Sequence, residues 1–118
     1  MIELLVAATI IAVLSMIGVV SYTSLNQRAR DGKRKADLSQ VQAALELYRS
    51  DNGAYPAGSY ADMTSVLVNA DYLASPAPVD PKNEDTFVYT YSAGTTTTYE
   101  LCAELETGDD SEYCVENP

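Results

Sequence analysis

The sequence predicts an α+β protein in which a long N-terminal helical stem, apolar and then amphipathic, packs on a small antiparallel-sheet head. Three observations predict it. From Leu4 to Leu25 the chain has no charge and no proline, and about 20 such residues form a helix long enough to span a bilayer. Apolar residues then recur at three- and four-residue spacing as far as Tyr48, the pattern of a helix with one buried stripe. The last third alternates apolar and polar residues between turn signals, as strands do. The 118 residues suit one domain plus a stem. They divide into an apolar stem over 1–25, its amphipathic continuation over 26–52 and a head over 53–118.

The apolar run holds one glycine, Gly18, and one ionisable residue, Glu3, sits at its edge. A carboxylate in such a place is costly to insert into lipid and marks a functional site by default. A secretory signal has a basic start, a short apolar core and a small-residue cleavage site; this run is longer and continues into helical sequence, so it reads as retained. Gly18-Val19-Val20-Ser21 is the soft point, because glycine and β-branched residues favour helix less.

In the amphipathic half, Ala36, Leu38, Val41, Ala44, Leu45 and Tyr48 form the stripe to be buried. Asp31-Gly32 admits a kink, although one glycine costs only about 1 kcal/mol. Asp51-Asn52-Gly53 and then Tyr55-Pro56 stop the helix. An unbroken helix over 1–52 makes a rod of roughly 78 Å at about 1.5 Å per residue, so its first half must protrude from the head.

Residues 53–60 read as loop. Ser59 and Asp62 form a capping box with a shorter acid, opening a short helix whose apolar residues are Met63, Val66, Leu67, Ala70 and Leu73. Pro76, Pro78 and Pro81 end it. A first strand is predicted over Phe87–Ser92, with Phe87, Tyr89 and Tyr91 on one face. A turn over Ala93–Thr97 leads to a second strand over Thr98–Leu105, with Tyr99, Leu101, Ala103 and Leu105 facing one way. After Gly108-Asp109-Asp110, a short third strand is expected at Tyr113–Val115. Cys102 and Cys114 fall on the second and third strands, placed to bridge across the turn. A head this small needs such a staple, worth about 3 kcal/mol in the chain-entropy model. Of the nine tyrosines, Tyr48, Tyr89, Tyr91 and Tyr99 are expected in the core, and Tyr55, Tyr60, Tyr72 and Tyr113 at the surface.

Charge is segregated. Six of the seven basic residues lie between positions 28 and 49, and thirteen acidic residues follow position 50. A head this acidic is not expected to bind nucleic acid. Lys33-Arg34-Lys35 reads as a solvated band or one facing lipid headgroups. Basic residues after the span would by themselves place the head in the cytoplasm. The cysteine pair favours an oxidising exterior, and removal of a basic leader would reconcile the two.

With no histidine, Ser–His and Cys–His catalysis have no base. Phosphate-loop and zinc spacings are also missing, so the chain is not expected to be an enzyme. No cofactor is expected. Oxygen-rich acidic loops suit calcium, and two are present: Asp80 with Asn83, Glu84 and Asp85, and Asp109, Asp110 and Ser111 with Glu112. Neither matches an EF-hand, and a solvated turn is the simpler reading of both.

Ile2-Glu3-Leu4-Leu5-Val6-Ala7, followed by an uncharged and then amphipathic helix, resembles the N-terminus of type IV pilins and type II secretion pseudopilins. Ala43-Ala44-Leu45-Glu46-Leu47-Tyr48 with Asn52-Gly53-Ala54-Tyr55-Pro56 is similar to the end of the stem in that family. Asp80-Pro81, Phe87–Ser92 and Tyr99-Glu100-Leu101 resemble its small-headed members. The resemblance implies an inner-membrane precursor, trimmed and N-methylated by a prepilin peptidase. Its subunits leave the bilayer, stack their stems into a helical homopolymer and reach the cell surface through pilus assembly machinery. It implies that Glu3 pairs with the terminal amine of a neighbouring subunit, which suits the physical chemistry: a buried carboxylate is tolerable when paired, so a mis-stacked subunit would be penalised. Some pseudopilins of this kind bind calcium near the C-terminal strands, here Asp109, Asp110 and Glu112. The mid-stem proline frequent in the family is absent, leaving Gly18 as the built-in softness. The leading expectation is a pilus subunit; the alternatives are a major pseudopilin and a membrane-anchored binding domain that does not polymerise.

Overall fold

The computed structural model describes residues 1–117. Its elements are α1 (Ile2–Asn52), α2 (Tyr60–Asn69), β1 (Thr90–Thr95), β2 (Thr98–Glu104) and β3 (Glu112–Glu116). The molecule measures 76 × 28 × 24 Å, because α1 is one unbroken helix and only its second half carries the head. The helix passes Gly18 and Asp31-Gly32 without interruption. It ends where the sequence demands: Gly53 takes a left-handed conformation at φ 80°, and its N–H donates to Arg49 O at 2.7 Å.

The capping box opens α2. Asp62 N–H donates to Ser59 Oγ, and Ser59 N–H donates to Asp62 Oδ2 at 3.0 Å. Met63, Thr64 and Leu67 point inward, whereas the expected inward residue Val66 faces solvent. The buried stripe of this ten-residue helix is three residues, narrower than the sequence pattern suggested.

The three strands form an antiparallel meander in the order β1-β2-β3. The first strand begins three residues later than predicted and runs on through Gly94 to Thr95, leaving a two-residue turn at Thr96-Thr97. Phe87 instead closes a small loop through an isolated bridge with Glu84. The register shift between Ala93 and Thr95 accommodates the glycine within the strand. Cys102 and Cys114 are directly opposed in the β2–β3 register and are joined as a disulfide.

The core lies between the second half of α1, α2 and one face of the sheet. Leu38, Val41, Ala44 and Leu45 meet Met63, Leu67, Tyr91, Tyr99, Leu101 and Ala103. Ala36, at the edge of the predicted stripe, is exposed. Tyr55, expected at the surface, is buried: its ring packs edge-on against Tyr99 at 4.6 Å between centroids, and its hydroxyl donates to Glu46 at 2.9 Å. Tyr89 and Tyr91 follow the same rule, as does Tyr60, expected at the surface but half-buried against the core; Tyr48, expected in the core, is likewise only half-buried. Tyr89 donates to Asp37, Tyr91 to Pro56 O and Tyr60 to Pro78 O, each at 2.7 Å. Burial pushes the Tyr91 phenol up to about 12.

Leu101, fully buried at the centre of β2, is the sharpest test of this packing. Leu101→Ala is expected to lower the unfolding free energy of the full chain in detergent by about 2–5 kcal/mol. Reducing the disulfide should cost about 3 kcal/mol more. Chemical denaturation followed by tyrosine fluorescence would check both.

Candidate functional site

Two features stand out above the general fold: a naked apolar stem and a buried charge cluster that fixes the head to it. From Ile2 to Leu25 every residue is exposed, and this is a helix long and apolar enough to cross a membrane. Three of its hydroxyls are accommodated locally. Thr9, Ser15 and Thr23 donate their hydroxyls to the carbonyls of Val6, Ile11 and Val19, at 2.8, 2.7 and 3.3 Å. Glu3 is 90% exposed, and its Oε2 accepts from the amine of its own Met1 at 3.3 Å. A Cβ built on Gly18 meets nothing within 4 Å, so no packing within the chain requires glycine there.

The charge cluster lies where the head meets the stem. Arg34 is fully buried. Its Nε and Nη2 donate to the two oxygens of Asp80 at 2.7 and 3.0 Å, and its Nη1 donates to Asp31 at 2.7 Å and Glu106 at 2.9 Å. Glu106 also accepts a two-pronged contact from Arg30 at 2.6 and 2.8 Å and lies 3.0 Å from Lys82 Nζ. Asp31 accepts the backbone N–H groups of Glu106 and Thr107 at 2.9 and 2.8 Å. Three cations thus meet three carboxylates. Among the described residues, no buried side-chain nitrogen or oxygen lacks a hydrogen-bond partner.

These contacts set the ionisation of the cluster. Hydrogen bonds from Arg30, opposed by burial and helped by Arg34 and Lys82, hold the Glu106 carboxyl well below the usual carboxylate range. Burial pushes Asp31 and Asp80 up, but hydrogen bonds outweigh it and leave both lowered. For Asp31 the donors are Thr107, Glu106 N–H and Arg34; for Asp80 they are Arg34 and backbone N–H groups.

This corrects the reading of Lys33-Arg34-Lys35 as a solvated band: Arg34 faces inward, and Lys33 pairs with Asp37 at 2.7 Å. It also removes Asp80 as a calcium ligand, since both its oxygens are engaged by Arg34. Asp109, Asp110 and Glu112 are exposed at and beyond the β2–β3 turn. Among the described residues, the potential ligand atoms that converge are those of Glu100, Cys102 and Cys114, and the disulfide consumes both sulfurs. The missed residues, Arg34 and Glu106, left one sequence signal: Asp31 and Arg34 stand three apart on a helix, a pairing distance. Nothing local links them to Asp80 or Glu106.

An apolar helix that continues into an amphipathic half, carrying a disulfide-closed antiparallel head, defines a type IV pilin-like protein. A family model described as "Type IV minor pilin ComP, DNA uptake sequence receptor" matches residues 20–117, and the chain belongs to that family. The description names a pilin rather than a pseudopilin. No curated protein and no solved structure matches the chain.

Arg34→Met should destabilise the head by about 3–5 kcal/mol, because it strips buried carboxylates of their partner; a thermal melt would measure it. The pH dependence has a definite sign. Asp31, Asp80 and Glu106 have lower pKa values folded than unfolded, so the unfolded chain binds more protons as the solution is acidified. Their contribution is complete above the ordinary carboxylate values, about pH 4, and is lost progressively below. The melting temperature should therefore fall on acidification below about pH 4, less steeply in Arg34→Met.

Proposed function

We propose that this chain is a structural subunit of a type IV pilus-like surface filament. The apolar stem sits in the inner membrane first. After maturation by a prepilin peptidase, the assembly machinery moves it into a helical bundle of identical stems. The observation that carries this reading is the complete exposure of residues 2–25 on a chain that otherwise packs and pairs its side chains. Exposing such a surface to water would cost about 25 cal/mol per Å² of apolar area, so a stem that leaves the bilayer is held among other stems. Glu3 sets register by pairing with the terminal amine of a neighbour, since a misplaced subunit would bury its carboxylate alone. Gly18 is the place where the stem stretches or melts inside the assembly. The chain is not an enzyme.

The family's description favours a second reading, a receptor for DNA. Charge weighs against it here: residues 53–118 hold twelve acidic residues and one basic one, Lys82, and Lys82 is already paired with Glu106. A polyanion gains its affinity from unpaired cations. The head is therefore proposed to bind no nucleic acid.

Negative-stain microscopy of sheared surface material is expected to find filaments containing the wild-type chain and to find few or none for Glu3→Ala. Normal filaments in that variant would remove Glu3 from assembly, and their absence in the wild type would favour a non-polymerising anchored domain. In a gel-shift assay with duplex DNA at moderate salt, the full chain in detergent should leave the DNA unshifted.

A further inference from the structure

The meander turns one face to the core and the other away from it. Alternation along β2 sends Leu101 and Ala103 into the core and puts Glu100, Cys102 and Glu104 on the opposite face. In the β2–β3 register Glu100 stands across from Glu116, Cys102 from Cys114 and Glu104 from Glu112. Two pairs of carboxylates therefore bracket the disulfide along the strands. Among the described residues, none of these four glutamates forms an ion pair. Like charges directly opposite one another destabilise a sheet, whereas opposite charges would support it. The negative charge around this bond is thus held at a cost to the fold.

The bond is open to attack from one end. Cys114 is exposed, and Cys102 is buried. A cavity of about 240 Å³ lies beside Cys102, with Thr90, Glu104, Ser111 and Glu112 among the residues lining it. A carboxylate oxygen of Glu100 lies within 4.8 Å of both sulfurs. Whatever reaches the disulfide approaches past negative charge.

We infer that Cys102–Cys114 is a redox site whose surrounding carboxylates reserve it for thiols carried on positively charged molecules. Exchange begins when a thiolate attacks a sulfur of the bond. Here the thiolate R–S⁻ joins the exposed Cys114 Sγ. The S–S bond breaks, and its electron pair leaves on Cys102 Sγ, which takes a proton from water. A second R–S⁻ attacks the mixed disulfide, releasing R–S–S–R and a Cys114 thiol, so two thiols supply the two electrons. Each attack brings an anionic sulfur against Glu100. Two like charges about 5 Å apart repel enough, even in bulk water, to slow an encounter about fourfold. A thiol bearing its own carboxylate is repelled further, and one bearing an ammonium group is drawn in. The disulfide is consequently shielded from anionic thiols although one of its cysteines faces solvent.

The test measures the reduction rate of the full chain, in a non-ionic detergent, by cysteamine, 2-mercaptoethanol and 3-mercaptopropionate. Free thiols are alkylated and counted by mass spectrometry. Each rate is taken per thiolate and divided by that of the same thiol with an uncharged small disulfide. Cysteamine should be fastest and mercaptopropionate slowest, with roughly tenfold between them, and 1 M salt should compress the spread. Glu100→Gln with Glu104→Gln should compress it too. Asp51→Asn with Asp71→Asn, which removes the same charge from positions outside the sheet, should leave it unchanged. A non-reducing gel before reaction would establish that each variant has formed the bond. Equal normalised rates for the three thiols would overturn the inference, and so would a rate that does not rise with thiol concentration, since unfolding would then control access. A spread that shrinks as much in the Asp51/Asp71 variant as in the Glu100/Glu104 variant would assign the selectivity to overall charge and overturn the role of these carboxylates.

Discussion

The buried guanidinium of Arg34 is the constraint on which the rest of the head depends. A fully desolvated cation is affordable only with its donors engaged, and here the acceptors come from well-separated parts of the chain. Asp31 lies one turn earlier on the stem, Asp80 in the proline-rich connection and Glu106 beyond the second strand. Satisfying one side chain therefore fixes the path of both long connections. The head is attached to its stem by directional contacts as well as by the apolar core, which sets the angle and height at which it rides.

The polar character of the core has the same origin. A head of this size has little volume for aliphatic side chains, and the chain uses tyrosine instead, with nine against one phenylalanine. Each buried ring fills space while its hydroxyl fastens a loop or reaches the stem: Tyr91 to Pro56 O, Tyr60 to Pro78 O, Tyr89 to Asp37. Tyrosine combines an apolar body with a polar handle, so the loops are tied down where apolar contacts are few. The disulfide ties β3 to β2.

Much of this was legible in the sequence because it is local or periodic. The stem's apolar run, its stop at Gly53, the Ser59–Asp62 cap and the inward residues of the second strand all write their structure within a few positions. What escaped depends on partners far along the chain. Arg34 sits in a basic triplet that reads as solvated, and Asp80 and Glu106, 46 and 72 residues away, help Asp31 turn it inward. Tyr55 looks like a loop residue and becomes core because Tyr99 and Glu46 receive it. Gly94 reads as a turn and is absorbed into a strand at the register shift between Ala93 and Thr95, with the turn itself at Thr96-Thr97. Glu3, the residue proposed for assembly, is conspicuous in the sequence as a lone charge at the edge of the apolar run.

The hydroxyls of the stem carry one more implication. Thr9, Ser15 and Thr23 each give their proton to the helix that bears them, so from Leu4 to Leu25 these side chains make no demand on whatever lies alongside. A surface of that kind treats hydrocarbon and packed side chains as nearly equivalent surroundings. Moving it from one to the other exchanges contacts of shape but breaks none of these hydrogen bonds, so they add no barrier to the transfer. In these three hydroxyls the stem brings its own hydrogen-bond acceptors with it.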